Sequence, residues 1–308
     1  MRVRAWLSKQ QPTFKGRRAK EEREAYAFIL PSLLGLTFFV FLPLLMTFLM
    51  SLTKFDLAKL SGHWLGMVKY KEFFSDPVFK DSLINTVKYC VVYVPLTLTL
   101  GLSMAIVLNS KLYLKSVIRT FFIIPYVSTY IASIVVWMML LDPSNGPLNA
   151  LLMKFGVTHP PLWLADPFWS MIVLAVIGSW KDVGFHFIIF LAALQTVPKH
   201  LYEAARLDGA GNWKQFLHIT LPMISPTTFM LLIITINGGL QMFTQSYVMT
   251  HGGPGYATMT LVYLIFRSAF EMGDFSYASA VGVVLFVISM LIVIIQWKLN
   301  KKWVSYES

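Results

Sequence analysis

The residues of this chain best able to do chemistry are polar side chains placed within long apolar stretches. Asp182 and His186 lie one helical turn apart in the apolar stretch 168–194, and Lys181 precedes Asp182. A charge at the centre of a bilayer costs about 2.5–3.5 kcal/mol, so these groups should face protein or a water-filled cavity. The pattern indicates a polar path for a hydroxylated solute. Alternatively, Asp182 pairs with Lys181 or another helix, and His186 is a satisfied interior histidine.

A second polar series follows in the apolar stretch 219–248. Amide side chains recur there at every fourth residue, and an aromatic residue that could stack on a sugar ring follows them. Amides suit a polyhydroxyl ligand, although in membranes they also join helices to one another. The candidates for a substrate path are Asp182, His186, Asn237, Gln241, Gln245 and Tyr247. Lys181 is the only central cation, which favours a neutral solute over an anion.

The composition of the chain excludes several classes of protein. Of its 308 residues, 56% are hydrophobic and 13% are charged, whereas soluble domains are about 45–50% apolar and about 25% charged. A soluble two-domain enzyme and a disordered chain are both excluded. The single cysteine, Cys90, excludes an intramolecular disulfide. No cluster of residues has metal-ligand spacing or the spacing of catalytic groups, so no metal, cofactor or enzymatic reaction is predicted.

Six stretches are long and apolar enough to cross a membrane, which takes roughly 20 mostly apolar residues. The predicted spans are 27–52, 83–108, 117–141, 168–194, 219–248 and 277–297. Several prolines lie within or at the ends of these spans, where neighbouring helices or trapped water can satisfy the freed carbonyls. The sequence therefore predicts an all-α, polytopic membrane protein with six transmembrane helices packed around a polar path.

The distribution of basic residues predicts the orientation of these spans. Of the 26 Lys and Arg residues, 17 lie in the terminal tails and in the second and fourth connections. Basic residues concentrate on the cytoplasmic side, so both termini are predicted to be cytoplasmic. The predicted division is a basic tail 1–26, a transmembrane domain 27–297 and a tail 298–308, with external connections 53–82, 142–167 and 249–276 and a cytoplasmic segment 196–218. The net charge of +11 is then explained mostly by the orientation of the chain, with the basic tail lying beside anionic membrane lipid. No nucleic-acid partner is predicted.

The cytoplasmic segment has the pattern of two short helices around a tight turn. Good helix formers run to Leu207, and the sequence Asp208-Gly209-Ala210-Gly211 interrupts them. The small side chains of Ala204 and Ala205 would let another protein approach the backbone closely. Glu203 and Arg206 could form a helix pair or reach across an interface, or they could be a solvated surface salt bridge. The segment is therefore a candidate docking surface.

The spacing of this segment resembles a known signature. Glu203-Ala204-Ala205, Gly209 and then Ile219-x-Leu221-Pro222 are similar to the EAA signature of the permease subunits of binding-protein-dependent ABC importers. The carbohydrate-type branch, related to the maltose and glycerol-3-phosphate permeases, is similar over nearly the whole chain. The further matching residues are Asn85-Thr86, Ala193-Leu194-Gln195, Phe243, Tyr247, Thr250, Gly252-Gly253-Pro254 and Tyr277-Ala278-Ser279-Ala280.

The resemblance implies the type I permease fold of ABC importers in a prokaryotic cytoplasmic (inner) membrane. It implies that Glu203, Ala204, Ala205 and Gly209, with Asp208 beside them, contact an ATPase subunit through a coupling helix. The implied partners are a second homologous permease, two ATP-binding subunits, an extracytoplasmic solute-binding protein and a carbohydrate. The chain has no G-x-x-x-x-G-K-[ST] loop, so it is expected to be a transport subunit rather than an enzyme.

A different class of transporter is the alternative. Lys181, Asp182 and His186 could form a proton relay in an ion-coupled secondary transporter. Uptake that survives ATP depletion but is abolished by an uncoupler would favour this hypothesis.

Overall fold

The structure, a computed structural model, describes residues 14–56, 61–109 and 115–303. Within them the chain is helical apart from one short hairpin, which confirms the predicted all-α fold. Some of the basic residues behind the predicted orientation lie outside the described residues, namely Arg2, Arg4, Lys9, Lys59 and Lys111.

The elements are numbered here in chain order. The first half of the chain contains α1 (Phe14–Leu36), a π-helical turn (Thr37–Phe41), α2 (Leu42–Ser51), β1 (Thr53–Asp56), β2 (Ser61–Trp64), α3 (Val68–Ser75), α4 (Pro77–Asn109), α5 (Lys115–Val127), α6 (Tyr130–Leu140) and α7 (Pro147–Lys154). The second half contains α8 (Pro167–Thr196), α9 (Lys199–Leu207), α10 (Asn212–Gln215), α11 (Leu221–Met223), α12 (Ser225–Leu240), α13 (Leu261–Phe266) and α14 (Phe275–Trp303), with further π-helical turns at Phe216–Thr220, Ser246–Thr250 and Arg267–Glu271.

Four helices in the described parts are straight enough and apolar enough to cross a membrane alone. They cover Glu21–Ser51, Pro77–Asn109, Pro167–Thr196 and Phe275–Leu299. Two further spans are bent pairs, Ser116–Val127 with Tyr130–Leu140 at 98° and Asn212–Met223 with Ser225–Leu240 at 67°. Counting each bent pair as one span gives the six that the sequence predicts.

The third and fifth spans differ from the unbroken helices of the sequence prediction. In the third, the Ser128 hydroxyl donates to the Pro125 carbonyl at 2.7 Å, so a side chain competes with the helix for that acceptor. In the fifth, Pro226 lies just after the bend, and it has no N–H to donate to the Pro222 carbonyl as a continuous helix would require. The fifth span also ends at Leu240 rather than at Val248. Polar and proline residues inside apolar runs thus break these helices.

Helix α8 is the centre of the bundle. In the most apolar stretch of this helix, 61% of the residues are buried, and the helix packs mainly against α4. The first span is the least buried, because no residue in its most apolar stretch is buried. Its second half, α2, packs on the last helix, α14. The polar groups of α8 are therefore those most enclosed by protein.

A cap formed by β1, β2 and α3 closes the ends of α4 and α14. β1 and β2 pair antiparallel with Thr53 opposite Trp64, and α3 follows them. Asn85 of α4 donates to the carbonyls of Tyr256 at 2.7 Å and Met259 at 3.2 Å, and the Thr86 hydroxyl accepts from the Leu261 N–H at 3.0 Å. These two residues of α4 thereby hold the connection that leads into α13.

Candidate functional site

A cavity of about 200 Å³ lies where α4, α6 and α8 meet the chain that follows α12. Polar and aromatic side chains dominate its lining. The lining residues are Tyr89, Tyr93, Tyr130, Asp182, Gly238, Gln241, Met242, Phe243, Thr244 and Gln245. Three of the six predicted path residues, Asp182, Gln241 and Gln245, are thus brought together.

Asp182 is held in this cavity by a tyrosine of the neighbouring helix. The Tyr93 hydroxyl donates to Asp182 Oδ2 at 2.6 Å, and the Tyr93 ring stacks on Tyr89 with 5.1 Å between ring centroids. Gln245 Nε2 donates to the Tyr89 hydroxyl at 3.1 Å. The partner of Asp182 is therefore on another helix, and Lys181 is turned toward main-chain carbonyls of α5.

A glycine makes room for this hydrogen-bonded group. A Cβ atom at Gly178 of α8 would lie 2.3 Å from the Tyr89 hydroxyl oxygen and 2.9 Å from Gln245 Nε2. Both distances are shorter than ordinary Cβ contacts, so a side chain at this position would displace the Tyr89 hydroxyl and the Gln245 amide.

The other three predicted path residues lie elsewhere. His186 is 3% exposed, with its ring nitrogens bonded to the Asp182 carbonyl at 2.9 Å and the Thr235 hydroxyl at 2.7 Å. Asn237 donates to the Ile233 carbonyl of its own helix at 2.9 Å. Tyr247 stacks on Phe243 at 5.2 Å within an aromatic cluster. These residues therefore lie behind the cavity wall rather than in its lining.

Sequence reasoning missed the three tyrosines of the cavity. Tyr89 and Tyr93 lie at i and i+4 of an apolar helix, so their spacing alone could have indicated a polar face. Tyr130 begins α6, directly after the break in the third span. No periodicity indicates it, because the periodicity of a helix does not continue across a break.

The segment 196–218 forms two helices joined by a tight turn, as its sequence predicts. Helix α9 ends in a Schellman motif, in which the Ala210 N–H donates to the Ala205 carbonyl at 2.8 Å and the Gly209 N–H donates to the Arg206 carbonyl at 3.0 Å. Gly209 has φ +76°, the left-handed conformation that favours glycine. The turn therefore depends on glycine at the position that the signature specifies.

Two further residues brace this segment against the bundle. The Tyr202 hydroxyl and Thr220 Oγ1 lie 2.9 Å apart, and buried Gln215 donates to the Ala210 carbonyl at 2.7 Å. In contrast, the apolar side chains of Leu207 and Trp213 are 90% and 70% exposed. The segment is thus held by side-chain hydrogen bonds and has two exposed apolar side chains.

The cap formed by β1, β2 and α3 contributes to a charged cluster outside the spans. Lys69 Nζ lies 2.8 Å from Glu72 Oε2 and 3.0 Å from Asp274 Oδ2. Burial lowers the pKa of Lys69, but hydrogen bonds and attraction from the two carboxylates outweigh it and raise the pKa above the usual lysine value. Beside this cluster, the Tyr277 hydroxyl donates to Asp76 Oδ2 at 2.5 Å. The cluster ties α3 and the start of α4 to the start of α14.

Comparison with known protein families identifies the class of this chain. Residues 97–305 match the family described as binding-protein-dependent transport system inner membrane component. The chain belongs to this family. It is accordingly a transport component of an inner membrane, and the importer class prevails over the ion-coupled alternative.

Relatives with known designations match this importer permease over nearly their full lengths. The arabinooligosaccharides transport system permease protein AraP of Bacillus subtilis is 33% identical over 89% of this chain and 88% of its own length. The trehalose/maltose transport system permease protein MalF of Thermococcus litoralis is 33% identical over 92% of this chain and 95% of its own length. The predicted resemblance to ABC importer permeases is confirmed.

A solved structure shares the fold of the importer permease. A chain of a bacterial alginate ABC transporter, crystallised with an alginate pentasaccharide-bound periplasmic protein, superposes with a TM-score of 0.80 at 22% identity. The match covers 93% of this chain and 96% of that chain. The predicted ABC importer permease fold is therefore confirmed.

Proposed function

We propose that this permease moves a carbohydrate, delivered by an extracytoplasmic binding protein, across the membrane with energy from ATP-binding partner subunits. The observation that supports this proposal best is the course of helix α8. Its middle presents Asp182 to the polar cavity, and its cytoplasmic end at Thr196 leads directly into α9. A push on α9 would therefore be transmitted to the cavity through one continuous helix.

The coupling contacts in this proposal are the residues of the signature. Glu203, Ala204, Ala205, Asp208 and Gly209 lie in α9 and its terminal turn. Two ATP-binding subunits would dock there, on this chain and on a second homologous permease. When they close on ATP, the paired bundles would change from an inward-facing to an outward-facing arrangement, and hydrolysis would reset them.

The proposed substrate is a carbohydrate for two reasons. The designations of the relatives name arabinooligosaccharides, trehalose and maltose. The cavity of this chain presents a carboxylate, two amides and tyrosine rings, which bind hydroxyl groups and sugar faces. We propose that Asp182, Gln241 and Gln245 touch the substrate, with His186, Asn237 and Tyr247 supporting them from behind.

A neutral oligosaccharide is the proposed form of the substrate. Asp182 is the only charged residue in the lining of the cavity in the described chain. The Lys181 ammonium is occupied by main-chain carbonyls and adds no cation to the lining. The volume of about 200 Å³ is below the roughly 300 Å³ of the smallest common ligand pockets, which agrees with a path completed by a second permease.

The proposed placement in the membrane follows the basic residues. Both termini and the segment 196–218 would be cytoplasmic, with the domain boundaries given by the sequence. The hairpin, α3 and the connection before α13 would then face outward, where the binding protein docks.

Uptake by the assembled transporter in proteoliposomes tests the coupling part of the proposal. Glu203→Ala is expected to abolish ATP-dependent uptake while the protein still inserts and assembles. His200→Ala, on the same helix but outside the signature, is the matched control and should retain uptake. Undiminished uptake by the Glu203 variant would refute the assigned coupling role.

Competition between sugars tests the substrate part. Uptake should be inhibited by unlabelled neutral oligosaccharides more strongly than by uronic oligosaccharides of the same length. Asp182→Asn should narrow that difference, because it removes the carboxylate that repels anions. Stronger competition by the acidic sugars would overturn the neutral assignment.

A further inference from the structure

The break in the third span leaves polar backbone groups without helical partners. Helix α5 ends at Val127 and α6 begins at Tyr130, with a bend of 98° between the two halves. The last carbonyls of a helix have no N–H donor within it. Inside a membrane water cannot replace those donors, so each carbonyl requires a partner from the protein.

Local groups satisfy only part of this requirement. The Ile124 carbonyl accepts from the Ser128 N–H at 2.9 Å, and the Pro125 carbonyl accepts from the Ser128 hydroxyl at 2.7 Å. The Thr129 carbonyl accepts from the Ser133 N–H at 3.1 Å. The carbonyls of Tyr126 and Ser128 receive their donor from a different helix.

That donor is Lys181 of α8. Its ammonium donates to the Tyr126 carbonyl at 3.1 Å and to the Ser128 carbonyl at 2.5 Å, and it also contacts the Pro125 carbonyl. An ammonium has three N–H donors, and the Ser128 hydroxyl oxygen, 3.3 Å away, is a fourth acceptor around it. Lys181 is 4% exposed, so its charge is enclosed by protein.

Close contact between α8 and α5 allows the lysine to reach the break. Gly184 lies on the same face of α8, and a Cβ there would come 2.4 Å from the Phe122 carbonyl oxygen and 3.2 Å from Tyr126 Cβ. The backbone of α8 therefore lies directly against the last turns of α5. Lys181 extends along this contact to the end of the helix.

We infer that Lys181 is a positioning residue whose ammonium replaces the backbone donors missing at the break and so fixes the start of α6. Tyr130, the first residue of α6, has its ring 5.6 Å from the ammonium and lines the cavity. Lys181 thereby sets the position of one wall of the cavity without touching substrate. The effect on transport rests on the proposed function, whereas the effect on the helix break does not.

Hydrogen–deuterium exchange on the assembled, purified transporter tests the inference directly. Lys181→Met keeps the apolar stem and removes the donors. It is expected to speed exchange of the amides from Ser128 to Ser133 roughly tenfold or more, since a lost hydrogen bond to a charged group weakens local stability by about that factor. Lys181→Arg should restore most of the protection. Lys88→Met, in an exposed position on α4, is the control and should leave this segment unchanged.

Transport kinetics provide the second readout. Lys181→Met should raise the apparent KM for the carbohydrate more than it lowers the maximal rate, because the wall of the cavity moves while the coupling segment is untouched. If Lys181→Met fails to insert, Lys181→Gln, which keeps two N–H donors, should show intermediate protection between wild type and a fully exposed segment. Wild-type exchange in Lys181→Met, or in Lys181→Gln if that variant takes its place, would overturn the inference. Altered exchange in a transporter that moves no carbohydrate would instead refute the proposed function alone.

Discussion

At the scale of single residues, Gly178 lies directly against the hydrogen-bonded group of the cavity. Gly178→Ala would place Cβ 2.3 Å from the Tyr89 hydroxyl and 2.9 Å from the Gln245 amide. We expect it to destabilise the protein by about 1–3 kcal/mol, the usual cost of overpacking, measured as a lower midpoint of thermal unfolding in detergent. Gly35→Ala, with nothing within 4 Å of its Cβ, should be neutral or slightly stabilising.

A double variant tests whether the cost of Gly178→Ala comes from the clash with the Tyr89 hydroxyl. Tyr89→Phe removes the hydroxyl nearest to the new methyl group, so Gly178→Ala should cost less in a Tyr89→Phe background than in the wild type. Equal costs in the two backgrounds would mean that the Tyr89 hydroxyl is not what requires glycine.

Gly209 is constrained by backbone conformation rather than by space. Its φ of +76° costs an ordinary L-residue about 1–2 kcal/mol, and nothing lies within 4 Å of a Cβ placed there. Gly209→Ala should therefore lower ATP-dependent uptake, while Gly209→Asn should retain more of it because asparagine tolerates this conformation. Gly211→Ala, also in open space but without a positive φ, is the control. Equal uptake by the Gly209→Ala and Gly211→Ala variants would contradict the argument.

Residue types and spacing predicted part of the candidate site. Asp182 could be identified because a carboxylate within an apolar span requires protein around it, and it lines the cavity. Asn237 could not be separated from Gln241 and Gln245 by spacing, because α12 ends at Leu240 and the amide series does not continue on one helix. The tyrosines were missed because a single aromatic residue is unremarkable in a chain that is 15% aromatic.

At the scale of elements, the cap formed by β1, β2 and α3 depends on a charged tether. Lys69→Met should remove the ionic contact between α3 and the start of α14. It should lower the free energy of unfolding by only a few tenths to about 1 kcal/mol, since the partner carboxylates are partly exposed. The raised pKa of Lys69 means that the tether stabilises the native state at neutral pH and is lost only as the pH rises through that raised value. Unfolding midpoints should therefore differ between wild type and variant at neutral pH and converge in strong alkali. Lys71→Met, on the exposed side of α3, is the control, and its unfolding midpoint should equal that of the wild type both at neutral pH and in strong alkali.

The six spans could be predicted from hydropathy, but their breaks could not. Hydropathy records which residues are apolar, whereas a break depends on where backbone hydrogen bonds find other partners. Ser128 and Lys181 satisfy carbonyls at the break of the third span, and the two lie 53 positions apart in the sequence. A tertiary contact of this kind is invisible to any local window.

At the scale of the whole molecule, the orientation of the bundle is open to a chemical test. In a Cys90→Ala background, Trp64→Cys and Trp213→Cys introduce thiols at tryptophans that are 68% and 70% exposed. A membrane-impermeant maleimide should label the Trp64 variant in cells whose cytoplasmic membrane is intact, because the proposed topology places the hairpin outside. It should label the Trp213 variant only after the membrane is dissolved. The reverse pattern would invert the proposed topology.

The packing of the first span on the last has a consequence for how the protein is made. Among the described elements, α2 finds its main helical partner in α14, more than two hundred residues further along the chain. Because α14 is synthesised well after α2, this contact can form only once the chain has been made as far as α14. A product truncated before α14 would leave the face of α2 that packs on α14 without its partner.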